Sequence, residues 1–306
     1  MTWPIILVII LASILLLFLL ILLVASFFIA KMIYSPLRYS RDDQKAFNKK
    51  MGWDEGVEVF DNNTPITFKM KDGYLIHGDY DLVSSSHKFC LLLHGHQTSR
   101  EGARRYALIF KELGYSTIVY DERGHGDNLR SNVSMGYHES QDLEEIIDQI
   151  YSKFGKDIDL GVQGVSMGAA TILLSTKFQQ KVSYIVSDCA FSSLKGVIKG
   201  IIKSKHLPSF PLLQLINLNL SLFAHFSFKD TDVLKAISHN KIPTLFIHGE
   251  ADSYVNVSNV KALYKADTGY KEVYTFPNAA HASSITVDRA RYKELIATFL
   301  KKIKKE

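Results

Sequence analysis

The sequence predicts an α/β domain: a mostly parallel central sheet with helices on both faces and a small helical cap, preceded by one transmembrane helix. Three observations predict it. An uncharged apolar run opens the chain, short apolar runs then alternate with amphipathic helical stretches, and a Gly-x-Ser-x-Gly pattern sits where one such run gives way to a helix.

A chain of 306 residues has room for one α/β domain of about 250 residues and an additional piece. That piece is at the front. From Ile5 to Ala30 there is no charged residue, and nearly every position is Ile, Leu, Val, Phe or Ala. Crossing the hydrocarbon core takes roughly 20 apolar residues, so residues 1–30 are expected to form a single-pass anchor in the cell membrane. A secretory signal has an apolar region of about 7–15 residues behind a basic start. This run is longer, and no Lys or Arg precedes it.

Residues 31–60 are expected to be a polar, partly helical juxtamembrane connector, with Trp53 as a docking residue. Up to residue 50, Lys31, Arg38, Arg41, Lys45, Lys49 and Lys50 face only Asp42 and Asp43, which suits either anionic lipid head groups or a solvated linker. Taken literally, this cluster puts the domain on the cytoplasmic side, although single-anchor proteins of this kind face either way. The formal net charge of +5 is largely this local excess, so no nucleic-acid partner is expected. Cys90 and Cys189 lie in apolar strand-like contexts and read as reduced core residues.

The domain itself, 61–306, opens with two alternating segments, 64–70 and 74–80, joined across Lys71-Asp72-Gly73; the Asp-Gly pair marks a hairpin. Apolar runs follow at 89–93, 117–120, 158–163, 184–187, 244–248 and 272–276, with helical stretches at 101–113, 137–154, 167–176, 256–266 and 288–302. Continuous apolar strands separated by helices imply a parallel sheet buried on both faces, with reactive residues at the carboxyl ends of the strands. Between 187 and 244 the alternation lapses into a greasy stretch broken by Pro208 and Pro211, and 190–240 is where a cap is expected. Leu212–Phe228 resembles a second span in hydropathy, but Gln214, Asn217, Asn219, Ser221 and His225 interrupt it.

The chemistry-bearing stretch runs from Asp159 to Ala170. An apolar strand leads into Gly164-Val165-Ser166-Met167-Gly168, then a helix start. A sharp strand-to-helix turn pushes the serine hydroxyl out of the sheet, and glycines flank it because no side chain fits there. The new helix points its first N–H groups toward any developing anion.

With Leu93-His94-Gly95-His96 at a strand end, Asp121-Glu122-Arg123-Gly124-His125-Gly126, the Ser166 turn, His248-Gly249-Glu250-Ala251-Asp252 and a late His281 in one order, the chain resembles the α/β-hydrolase family. More narrowly, it resembles membrane-anchored bacterial serine hydrolases of the esterase, lipase and peptidase type. The resemblance runs from about Thr64 to the C-terminus. It implies Ser166 as nucleophile, His281 as its base and Asp252 as the acid that orients the imidazole, in the family's order Ser, Asp, His. Asp188, after another strand, is the rival acid. The resemblance also implies an oxyanion hole made by the amides of Met167 and His96, with Gln97 as the near alternative to His96. One departure stands out: the family commonly has a serine shortly after Arg-Gly-His-Gly, where this chain has Asp127-Asn128. As that loop borders the pocket, it is expected to alter substrate choice.

His94, His96 and His125 raise the question of a metal site, but the chain lacks metal-ligand spacing such as His-Glu-x-x-His. Neither metal nor organic cofactor is expected. The activity implied is hydrolysis of a small-molecule carboxylic ester or acyl substrate through an acyl-enzyme. A peptidase or acyltransferase would use the same triad, and a catalytically silent lipid- or protein-binding scaffold is the reading from another class.

Overall fold

The computed structural model describes residues 2–175, 178 and 180–304. In chain order the elements are α1 (Trp3–Tyr34), α2 (Arg41–Met51), a 3-10 turn (Val57–Phe60), β1 (Thr64–Lys69), β2 (Leu75–Asp81), β3 (Lys88–Leu93), α3 (Arg100–Glu112), β4 (Ser116–Tyr120), α4 (Tyr137–Phe154), β5 (Asp159–Val165) and α5 (Met167–Leu174). There follow β6 (Ile185–Asp188), α6 (Leu194–Ser204), α7 (Leu212–Ala224), α8 (Val233–Ile237), β7 (Thr244–Gly249), α9 (Ser258–Ala266), β8 (Lys271–Phe276), α10 (Ser284–Val287) and α11 (Arg289–Ile303). Thr176, where the helix after the serine is predicted to end, lies outside the described residues.

The strands form one eight-stranded sheet in the order β1-β2-β4-β3-β5-β6-β7-β8. The opening hairpin is antiparallel, β2 meets β4 antiparallel, and the rest pair in parallel. Alternation along β3 shows how the sheet is covered. Phe89, Leu91 and Leu93 join one core with α4, α5 and the cap, while Cys90 and Leu92 join a second with α3 and α11. Because successive side chains point to opposite faces, an unbroken apolar strand is what a sheet buried on both sides requires.

Register sets the functional rim. Leu93 pairs with Gly164, Val165 with Asp188, and Gly249 with Phe276, so the carboxyl ends of β3, β5, β6, β7 and β8 finish together. The cap is three helices, α6 to α8, inserted between β6 and β7.

Helix α1 is long and apolar enough to cross a membrane. Its N-terminal two thirds lie exposed, whereas Leu22, Ser26, Ala30, Ile33 and Tyr34 are buried against the domain. Ser26 Oγ accepts from Asn219 Nδ2 of α7 at 3.2 Å, and the rings of Phe27 and Phe223 meet edge to face. The segment after α1 folds onto the domain as well. Ser40 and Asp43 form a reciprocal capping box that starts α2. Asn48 then donates to the Glu101 carbonyl, and the Arg105 guanidinium stacks 3.8 Å from the centre of the Trp53 ring. Arg41 reaches a largely buried ionic cluster in which Arg100 and Arg104 of α3 engage Asp79, Asp121 and Glu101. Buried charges tolerate burial only when paired in this way.

The tightest packing lies under Ser166. A Cβ on Gly164 would stand 2.5 Å from the backbone of Gly168 and Ala169, and one on Gly168 would stand 2.5 Å from the His94 carbonyl oxygen. Backbone cannot yield as a flexible side chain can. Gly164→Ala is therefore expected to lower the unfolding midpoint by roughly 5–10 °C in a thermal melt, and an unchanged midpoint would contradict the packing described.

Candidate active site

Ser166 occupies the turn between β5 and α5 at φ 54° and ψ −111°, a left-handed conformation that a non-glycine residue rarely adopts. Its own N–H donates to the Asp188 carbonyl, and its carbonyl accepts from Ala170, so the turn is tied to β6 on one side and to α5 on the other. The residue as a whole is 9% exposed, so the turn is not sealed off.

The loop after β7 delivers Asp252 and the loop after β8 delivers His281. His281 Nε2 lies 2.9 Å from Ser166 Oγ, and its Nδ1 lies 2.7 Å from Asp252 Oδ2. A carboxylate only accepts, so Nδ1 carries the proton and Nε2 presents its lone pair to the serine hydroxyl. Asp252 is itself held: its Oδ1 accepts from the N–H groups of Tyr254 and Val255, and His248 Nε2 stands 3.4 Å from its Oδ2. Burial opposes its charge, but the hydrogen bonds from His248 and His281 outweigh it and keep the carboxyl well below the usual carboxylate range. Asp252 thus stays ionised through the neutral range.

Asp188, the rival acid, is equally buried and is bonded to a different partner. Its Oδ2 accepts from Tyr292 at 3.1 Å, and burial pushes its pKa up to about 6.

The loop after β3 runs beside the serine; a Cβ on Gly95 would lie 3.7 Å from Ser166 Cβ. Met167 is the first residue of α5, where an N–H has no partner within the helix. The Gln97 amide is already committed, donating to His125 Nε2 at 3.2 Å.

The three histidines considered for a metal are engaged in holding loops. His94 accepts from the Glu122 amide through Nε2 and donates through Nδ1 to the Gly95 carbonyl. His125 donates through Nδ1 to the Arg123 carbonyl. His96 donates through Nε2 to the Ile33 carbonyl at 3.1 Å. Burial lowers the pKa of His94 and of His96 to about 4, so both stay neutral. Among the described residues no group of three or more His, Cys, Asp or Glu is placed to share a metal ion.

Asp127 and Asn128 have structural tasks. Asp127 joins the ionic cluster through Arg100, while Asn128 donates to the carbonyls of Asp121 and Glu122 and accepts from the His77 amide.

His248, read from its place before glycine at a strand end as a loop-shaping residue, braces the loop of the acid by donating to the Val255 carbonyl at 2.7 Å. Two contributors escaped sequence reasoning. The ring of Tyr254 sits 5.2 Å from that of His281. The chain leaving α1 grips both loops beside the serine: Ile33 through His96, Tyr39 through its N–H to the Gln97 carbonyl, and Arg38 through the carbonyls of Gly124 and Asn128. Spacing along the sequence holds no sign of the contacts of Ile33, Arg38 and Tyr39, which join residues more than fifty positions apart.

A mostly parallel eight-stranded sheet, helices on both faces and a serine on the turn after the central strand define an α/β hydrolase. A family model described as serine aminopeptidase, S33, matches residues 84–240, and the chain belongs to that family. Among curated proteins it is similar to the uncharacterised protein YqkD of Bacillus subtilis, at 28% identity over 81% of this chain and 84% of that one. It is also similar to the lysophosphatidylserine lipase ABHD12 of Macaca fascicularis, at 26% identity over 60% of this chain and 46% of that one. The chain thus matches less than half the length of that lipase. Among solved structures, the esterase Pf2001 of Pyrococcus furiosus superposes with a TM-score of 0.64 at 23% identity, over 79% of this chain and 92% of that one.

If the grip of the post-α1 segment holds the loop after β3 in place, His96→Phe, which removes only the donor to Ile33, should slow labelling by a fluorophosphonate about threefold to tenfold. One hydrogen bond of this kind is worth roughly 1 kcal/mol. Circular dichroism should be unchanged, and an undiminished labelling rate would contradict the role.

Proposed function

We propose that the protein is a membrane-anchored serine hydrolase that cleaves carboxylic esters with an apolar acyl part through an acyl-enzyme. The observation that carries the reading is the continuous relay from Asp252 through His281 to Ser166, at 2.7 and 2.9 Å. A serine hydroxyl is a weak nucleophile until a base takes its proton during attack, and the imidazole is already within transfer distance.

Ser166 Oγ attacks the ester carbonyl carbon, and its proton passes to His281 Nε2. Asp252, kept ionised, stabilises the imidazolium. The carbonyl oxygen gathers negative charge and is met by the amides of Met167 and His96; with Gln97 N committed to His125, His96 is the residue of that loop left to serve. His281 returns the proton to the departing alcohol as the ester C–O bond breaks. Water then repeats the sequence on the acyl-enzyme, releasing acid and restoring Ser166. All these groups belong to the chain.

The ester reading is supported by similarity to an esterase and to a lysophosphatidylserine lipase, and by an apolar cap beside a helix suited to a membrane. An aminopeptidase is the second reading, favoured by the description of the family model.

With the full chain in detergent, fluorophosphonate labelling should occur and should vanish in Ser166→Ala. Hydrolysis of p-nitrophenyl esters should fall roughly 10⁴-fold in His281→Gln and by about 10³-fold or more in Asp252→Asn. An unlabelled parent would refute the nucleophile. Turnover should rise from acetyl to octanoyl esters, whereas faster cleavage of aminoacyl p-nitroanilides than of any ester would transfer the assignment to the peptidase reading.

A further inference from the structure

We propose that the cap docks on the lipid bilayer: α7 and the turn before it enter the acyl boundary beside α1, and a row of lysines on α6 meets anionic head groups. The inference rests on reading α1 as a membrane span and adds a second, independent membrane contact next to the active site.

The direction of α7 comes first. Tyr34, at the end of α1, accepts from the Val133 amide, and Phe223, at the end of α7, accepts from Asn132 Nδ2. Both helices therefore finish at the same loop. With Ser26 bonded to Asn219 and Phe27 against Phe223, they run side by side in the same direction. Counting back seven residues from the Ser26–Asn219 contact and eleven from Phe27–Phe223, the start of α7, preceded by Phe210, lies at about the level of Leu16 to Leu19 of α1.

The height of the bilayer then follows from length. The apolar run from Ile5 to Ala30 is about 39 Å long as a helix, roughly 9 Å more than a hydrocarbon core of about 30 Å. Suppose the whole excess projects on the domain side. The acyl boundary then falls near residue 24, still above the level of the first turn of α7. Any deeper placement immerses more of α7. No placement that keeps the run in lipid leaves this end of the cap in bulk water.

The surface chemistry agrees. On α7 and its preceding turn, Phe210 is 74% exposed, Leu222 60% and Leu218 51%. Isolated exposed apolar residues need no explanation, but these lie on the helix that packs along α1 and on the turn that leads into it. Lys195, Lys199 and Lys203 are exposed at i, i+4 and i+8 on α6, which makes one charged row, and α6 leads directly into the turn that carries Phe210. A cationic row ending at an apolar tip is the pattern of an element lying in the interface of an anionic bilayer, with the lysine stems reaching back to the head groups. An ester-bearing lipid would then reach Ser166 from the membrane side of the cap.

The test uses the full chain in nanodiscs of phosphatidylcholine and phosphatidylglycerol containing doxyl-labelled lipid. Single cysteines at Phe210, Leu218, Leu15 and Lys301 carry a nitrobenzoxadiazole fluorophore; Cys90 and Cys189 are buried and escape labelling. The label in Phe210→Cys should be quenched about as strongly as in Leu15→Cys and several-fold more than in Lys301→Cys, with Leu218→Cys between them. Neutralising Lys195, Lys199 and Lys203 together to Gln should reduce that quenching at the cap, leave Leu15 quenched, and leave hydrolysis of a soluble short-chain ester unchanged. Quenching at Leu15 without quenching at Phe210 would overturn the docking while sparing the anchor. No quenching at Leu15 would overturn the anchor and the docking together, leaving the hydrolase chemistry to its own test. Cap quenching that ignores the three lysines would overturn the head-group contact.

Discussion

The molecule depends on one close approach: the first turn of α5 lies against the end of β3 with no side chain between them. Gly168 lets the helix backbone come within reach of the His94 carbonyl, and Gly164 lets it fold back on its own strand. Were either position filled, α5 would lift off the sheet and Ser166 would leave its left-handed conformation. The loop carrying Gly95 and His96 would then lose its neighbour. Steric vacancy here does more to shape the active site than any attraction.

Around that point the structure divides its polar groups by task. Asp252 and His281 are arranged so that charge is available, one ionised by its donors and the other poised between acceptor and hydroxyl. Other equally polar groups are arranged so that charge is suppressed or cancelled. His94 and His96 are held neutral by burial, Asp188 is raised to about 6, and Arg100 and Arg104 are matched to carboxylates. Two aspartates at neighbouring strand ends differ in role because one receives backbone N–H groups and imidazoles while the other meets a tyrosine hydroxyl.

Much of this was legible in the sequence where the determinant is local. The strand at Phe89–Leu93 is apolar at every position because both faces are covered, and the Asp72-Gly73 pair closes the hairpin. The glycines about Ser166 announce the turn because the turn cannot form without them. What was not legible depends on distant partners. Nothing in the spacing of Ile33, Arg38 and Tyr39 says that they hold the loops at 95–98 and 124–128, and polarity alone made that segment read as a connector. The loop of Asp127 and Asn128 was expected to border the pocket, but a pattern of residue types cannot foretell that the first binds Arg100 and the second ties β2 to the turn after β4. That the Gln97 amide donates to His125 likewise could not be read from residue types, since it depends on where one amide points.

The junction between α1 and the domain contains almost no slack. Tyr34 is already bonded to Val133, Arg38 and Tyr39 are bonded to the loops beside the serine, and α2 begins at Arg41. A long leash lets a catalytic body tumble and forage through the surrounding fluid; a joint pinned at nearly every residue does not. With α1 in a bilayer, such a molecule would travel in two dimensions at one fixed height. The rate at which it finds its targets would then be set by how many of them share its leaflet, and dissolved molecules would compete poorly even where they fit.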